Sequence, residues 1–180
     1  MTTWNIDHSH SGVHFTVRHL MVSKVRGAFG KWTATLDLDE ADITKSKVDV
    51  TIDAASIATG EPKRDDHLRS PDFFEVERFP ELRFRSTKVE RTGADTLAVT
   101  GELTIRDVTK TIVLAVEEGG RVKDPWGGTR LGYSAHAAIS RKDFGLTWNA
   151  LLEAGGVAVG DKIEIGIEIE ALAGAVGVAA

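Results

Sequence analysis

VDVTIDAASIATGEPKRDDHLRSPDFFEVERFPELRFRSTKVERT, running from Val48 to Thr92, decides the fold. Val48, Val50 and Ile52 alternate with polar residues, and Leu82, Phe84 and Ser86 alternate again. Strict alternation marks a strand with one buried face. A strand therefore enters, an insertion intervenes, and a strand leaves. The insertion has helix signals. Pro62 suits a first helical turn, where its missing N–H costs nothing. Glu61, Asp65 and Asp66 favour the positive end of the helix and Arg69 the last turn. Pro71 stops this helix at about Ser70. Ser70, Pro71 and Asp72 then predict a second brief helix through Phe73 and Phe74. Pro80 returns the chain to strand. A helical insertion in a β protein predicts a cap over one end of a barrel or sandwich.

The pattern continues on both sides. Upstream, Trp4 and Ile6, then Val13, Phe15, Val17 and His19, then Val25, Gly27 and Phe29, then Trp32, Ala34, Leu36 and Leu38 hold alternate positions. Downstream come Leu97 to Ile105, Leu131 to Ile139, and the regular Ile163, Ile165, Ile167 and Ile169. Thr109 to Val116 is apolar on both faces and reads as a central strand. Asp143 to Gly160 is a long connection carrying Phe144 and Trp148. About ten alternating segments with turn signals imply an all-β antiparallel protein. Long segments favour a tall barrel of about eight strands, some segments merging into bent strands, with the insertion capping one end.

Parity puts Phe15, Val17, Phe29, Leu36, Phe84, Leu103, Tyr133, Ala135 and Ile167 inside. Gly27, Gly101, Ala135 and Ala137 share that parity and are small. An eight-stranded barrel is just wide enough to be filled or to hold one ligand, and small inward residues favour a cavity. One domain is expected over residues 1–172, followed by an Ala/Gly-rich tail, 173–180, read as a frayed terminus.

At 180 residues and 42% hydrophobic the chain can build a substantial core. A net charge of -5 argues against a nucleic-acid partner, which needs a basic face. The absence of cysteine excludes disulfides and thiolate chemistry. No apolar run reaches the ~20 residues of a membrane span. The opening MTTWNIDHSH has neither a basic nor an apolar leader segment, so a cytoplasmic location is expected. A homodimer is left open.

Candidate chemistry is sparse. His8 and His10 share a face only if their strand continues, and the turn at Ser9 to Gly12 interrupts it, so no metal is expected. Gly132-Tyr133-Ser134-Ala135-His136 opens like a nucleophile elbow but lacks the second glycine and lies within a strand. Asp65 and Asp66 project about 100° apart on a helix and do not form a catalytic pair. Arg64 and His67 lie one turn apart on one face and suit an anionic or carbonyl head group. No cofactor motif is present.

Several stretches carry a resemblance. They are Trp4 to His10, Val13 to His19 and Val25 to Phe29. The strongest is Arg64-Asp-Asp-His67-Leu-Arg-Ser-Pro-Asp-Phe73-Phe74-Glu-Val-Glu-Arg-Phe79-Pro80. Val99 to Lys110, Ile139 to Gly145 and Val159 to Ile165 follow. In this order and spacing the chain resembles the YceI-like family of polyisoprenoid-binding, lipocalin-like proteins, over about residues 3 to 170. The resemblance implies an extended barrel with a long apolar tunnel closed by the helical insertion. It also implies binding of an isoprenoid lipid such as a polyprenyl phosphate or quinone. The expected role is a non-enzymatic store or carrier of that lipid. Many relatives are exported, which this N-terminus does not match. The expected ligand-binding set is the inward residues above with Ala137, Arg64, His67, Phe73, Phe74, Arg141, Phe144 and Trp148. The alternative is an enzyme acting on an isoprenoid or quinone, with His8, Arg64, His67 and Arg141 as its polar site.

Overall fold

The computed structural model describes residues 2–153 and 155–174. Its strands are β1 (Thr2–Ile6), β2 (Gly12–His19), β3 (Ser23–Phe29), β4 (Trp32–Leu38), β5 (Lys47–Asp53), β6 (Ile57–Ala58), β7 (Glu81–Arg91), β8 (Thr96–Ile105), β9 (Val108–Lys123), β10 (Thr129–Ser140) and β11 (Val159–Ala173), with one helix, α1 (Pro62–Arg69). Every pairing is antiparallel. The sheet closes because β11 is long enough to serve two partners. Its first half pairs with β2, placing Ile165 opposite Phe15. Its last residues pair with β1, placing Ala173 opposite Trp4. Likewise β2 pairs with β3 and β1 pairs with β4. β1 with β2 and β3 with β4 thus act as two bent staves, and the result is a closed antiparallel barrel of eight. The expected merging of short segments is what closes it.

Closure leaves no central strand. β9 was expected to be buried on both faces, yet Val113 is 54% exposed. In a barrel each strand has one face to solvent, and here that face carries Thr109, Thr111, Val113, Ala115 and Glu117, so Val113 is an apolar residue on a mixed outer face. The C-terminus also differs from its expectation. Ala171 is fully buried and residues up to Ala173 are strand, held between β1 and β10. Residues 175–180 of the expected tail lie outside the described residues.

Strand directions define two ends. β5, β7, β9 and β11 place Asp53, Glu81, Val108 and Val159 at the end that carries α1. Leu38, Arg91, Thr96 and Thr129 lie at the opposite end. The seam there is closed by a small cluster of Trp4, Leu36, Leu38 and Ala171.

α1 forms as its sequence dictates. Pro62 begins it, the Glu61 carboxylate accepts the Arg64 N–H at 2.6 Å, and the chain turns extended at Ser70. The expected second helix is absent. After Pro71 the chain folds back on α1. The Phe74 N–H bonds the Leu68 carbonyl, and the Glu75 N–H that of Ser70. Glu75 then takes a left-handed conformation, φ 47. The backbone donors of this stretch are satisfied by the end of α1, so no new helix is needed. Residues 71–74 and 76–78 are turns.

Candidate functional site

Inside the barrel lies a cavity of about 260 Å³. Its wall runs from Leu38, Ile43 and Val48 at the end opposite α1 to Leu68, Phe73 and Phe74 under the cap. Phe15, Val17, Phe29, Leu36, Phe84, Leu103, Tyr133, Ala135 and Ile167 all belong to this wall, on the parity that pointed them inward. Phe73, Phe74 and Arg141 join them. Further wall residues follow the same alternation and were not singled out, among them Val50, Ile52, Val99, Leu114 and Ile139. Ile57 and Leu68 carry no periodic signal, because they belong to the insertion.

Two of the small residues do not make the space. A Cβ on Gly27 would fall inside the Phe15 ring, and one on Gly101 would meet the Phe84 ring and the Arg85 carbonyl oxygen. These glycines let aromatic rings from the neighbouring strand lie flat over them, and the slots they open are filled. Ala135 does face the cavity. Ala137 points the same way from β10, but its methyl stops short of the wall and packs on the surrounding core.

The cap is aromatic. His67 meets Phe73 at 5.1 Å and Trp148 at 4.6 Å, both edge to face. Phe73 meets Trp148 at 5.4 Å, and Phe74 meets Phe29 edge to face at 6.0 Å. Arg141 pins the 145–160 connection onto the barrel. Its Nε donates to the Gly160 carbonyl at 2.8 Å, and its Nη1 to those of Leu146 and Trp148 at 2.7 and 2.9 Å. Burial at 3% exposure lowers the pKa of this guanidinium, opposed by the charge of nearby Asp161, which raises it.

The expected polar site does not assemble. Arg64 donates to the hydroxyl and carbonyl oxygens of Thr59, tying α1 to the preceding turn. His67 bonds Asp72 at 2.8 Å. His8 packs against Trp32 with ring centroids 4.6 Å apart and the planes tilted by 55°. Among the described residues no hydrogen bond or ion pair joins any two of His8, Arg64, His67 and Arg141. Arg64, His67, Phe144 and Trp148 are all absent from the cavity wall. Phe144, at 2% exposure, is packed into the core beneath the cap connection.

Away from the cavity, Asp7, His10 and Glu170 converge with metal-ligand spacing. This is a grouping the sequence pattern did not suggest, since Glu170 arrives from β11. A cation is already there. Arg130 donates to Asp7 at 2.8 Å and to Glu170, and its Nε to Asp124 at 3.0 Å. The cluster therefore reads as a clasp joining the β1–β2 turn to β10 and β11.

Comparison with known proteins accords with this geometry. The YceI-like domain profile matches residues 4–171. Protein YceI of Salmonella newport is 41% identical over 138 residues, covering 77% of this chain and 72% of that protein. The crystal structure of the Campylobacter jejuni YCEI protein superposes with a TM-score of 0.75 at 37% identity, covering 86% of this chain and 88% of the other. A polyisoprenoid binding domain from Saccharophagus degradans has the same fold, with a TM-score of 0.68 at 15% identity over 97% of this chain and 100% of the other.

Proposed function

The chain belongs to the YceI-like domain family, and on that footing we propose that it binds a long-chain isoprenoid lipid, tail inside the barrel, as a store or carrier. The observation that carries this reading is the apolar wall continuing from Leu38 and Ile43 to Phe73 and Phe74. The 16 residues of β9 span roughly 50 Å at ~3.3 Å each, or about 40 Å of barrel height at a tilt of about 40°. A cavity of about 260 Å³ distributed along such a barrel is slender. It suits one flexible chain better than a compact ring system. The isoprenoid binding of the Saccharophagus domain, which shares the fold, points to the same ligand class.

Burial of a prenyl tail supplies ample driving force. At ~0.8 kcal/mol per carbon unit, about 40 carbons would give more than ~30 kcal/mol. Non-covalent affinities saturate near 18–21 kcal/mol, and the difference goes into ordering the chain. Tail length is therefore read weakly, and a polyprenyl phosphate and an isoprenoid quinone both carry a suitable tail.

Binding is favoured over catalysis by the wall itself. Its titratable members are His14, Tyr133 and Arg141, and no carboxylate lies among them. The groups expected to form an enzyme's polar site each have a separate structural partner.

Ala135→Phe tests the reading. A ring added where the wall is open fills empty space, so weaker binding of a long prenyl quinone is expected with the melting temperature kept or raised. A solid interior gives the reverse, since overpacking costs about 1–3 kcal/mol. Fluorescence titration and a thermal melt of both proteins separate these outcomes.

A further inference from the structure

An amphipathic ligand must satisfy its head group somewhere, and the cavity gives it almost nothing. Arg141 reaches the wall, but its donors are engaged by backbone carbonyls. At the capped end Arg64 and His67 are committed to Thr59 and Asp72, and aromatic rings fill the space. The opposite end is different. There a second hollow, of about 320 Å³, shares Leu38, Ile43 and Tyr133 with the apolar cavity. Its charged lining is Asp39, Glu40, Arg91, Asp95, Glu118 and Arg121.

The chemistry of this annex is specific. Arg91 is held by Glu118 at 2.9 Å, and Arg121 by Glu40 at 3.1 Å. Four carboxylates against two guanidiniums leave a formal charge of −2 in the lining. Tyr133 stands at the junction of the two spaces, and burial raises the pKa of its phenol, keeping it protonated. Among the described residues its hydroxyl has no hydrogen-bond partner. A donor is therefore free where an apolar tail would end and a polar group begin.

Resting on the lipid-binding reading, we propose that the head group sits in this annex, opposite α1, and that the annex selects an uncharged head group over a phosphate. Tyr133 donates to a neutral acceptor, a quinone carbonyl or an alcohol oxygen. A phosphate placed there meets net negative charge, with both arginines already neutralised. Sharing a tail with the neutral ligand does not relieve that repulsion, which weakens as salt screens it.

The test is a titration of the full chain with four ligands of matched prenyl tail: a quinone, an alcohol, a monophosphate and the hydrocarbon without a head group. The quinone and alcohol are expected to bind at least about tenfold tighter than the phosphate at low salt, with the gap narrowing as ionic strength rises. Tyr133→Phe is expected to weaken the quinone and alcohol about three- to tenfold, the value of one neutral hydrogen bond, and to leave the hydrocarbon unchanged. Asp95→Asn with Glu40→Gln is expected to tighten phosphate binding. If the phosphate binds as well as the neutral ligands, or if Tyr133→Phe affects all four alike or none, the head-group assignment is overturned while lipid binding stands. If none of the four binds, the hydrocarbon included, the lipid-binding reading fails and takes the assignment with it.

Discussion

Arg141 holds a full charge at 3% exposure with backbone carbonyls in place of a carboxylate. Replacing it by Met removes a buried charge but leaves several carbonyls unpaired, each at a cost of about 1–3 kcal/mol. A net loss of about 2–4 kcal/mol is expected, with faster proteolytic cleavage between residues 145 and 158; an unchanged melt and cleavage rate would mean the connection is held otherwise. Asp7 and His10 give the seam clasp a pH signature. The Ser9 hydroxyl, then His10 and Arg130, hold the Asp7 carboxyl well below the usual carboxylate range. A depressed carboxylate stabilises above its unfolded value of about 4 and ceases to as pH falls through its folded value. His10 is raised, first by its hydrogen bond to Asp7 and then by the Glu170 charge. Its contribution is present below about pH 6.5 and fades as pH rises through the folded value. Urea midpoints should therefore show Asp7→Asn weaker than wild type at pH 7 with the gap closing below about pH 4. His10→Ala should differ more at pH 6 than at pH 9. At this scale parity in the sequence located the wall residues, because a strand sends alternate side chains to one face. It did not locate the partners of Arg64, His67 or Gly101, which are set by contacts between distant segments.

The cap is the element on which the cavity's closure depends. Phe73 is 6% exposed and packs between His67 and Trp148, whereas Phe74 is only partly buried and leans on Phe29. Truncating a buried Phe costs about 3–5 kcal/mol, so Phe73→Ala is expected to lower the melting temperature markedly and Phe74→Ala to lower it less. Equal, small effects would show that the 71–78 turns are not packed on the barrel. α1 was legible because its signals are local: a proline at the first turn, acids at the start, a proline after the end. The turns at residues 71–78 were not, because the donors of Phe74, Glu75 and Val76 are taken by carbonyls of α1 and its cap. A start signal at Ser70 competed with a closure reaching back over several residues, and the closure prevailed. Trp148 belongs to the cap for a similar reason. It sits in a connection far along the chain and is brought over α1 by the Arg141 hydrogen bonds.

For the whole molecule, the alternation of strands and the single insertion imply a capped antiparallel barrel, and the structure is one. Which segments fuse into bent staves depends on β11 reaching both β2 and β1, a relation of length and register rather than of composition. The cavity was inferred partly from glycines that turn out to be covered by aromatic rings. What leaves it open is the collective size of the inward faces, to which Ala135 contributes. A barrel whose cavity is walled almost wholly by apolar side chains is well suited to one lipid chain. The direct test is mass spectrometry of the protein purified gently as the full chain, first intact and then after organic extraction. The account predicts a bound mass near one molecule per chain that extracts as a long-chain isoprenoid. A protein that carries no lipid, and takes up none when incubated with long-chain prenyl quinones or alcohols, would contradict it.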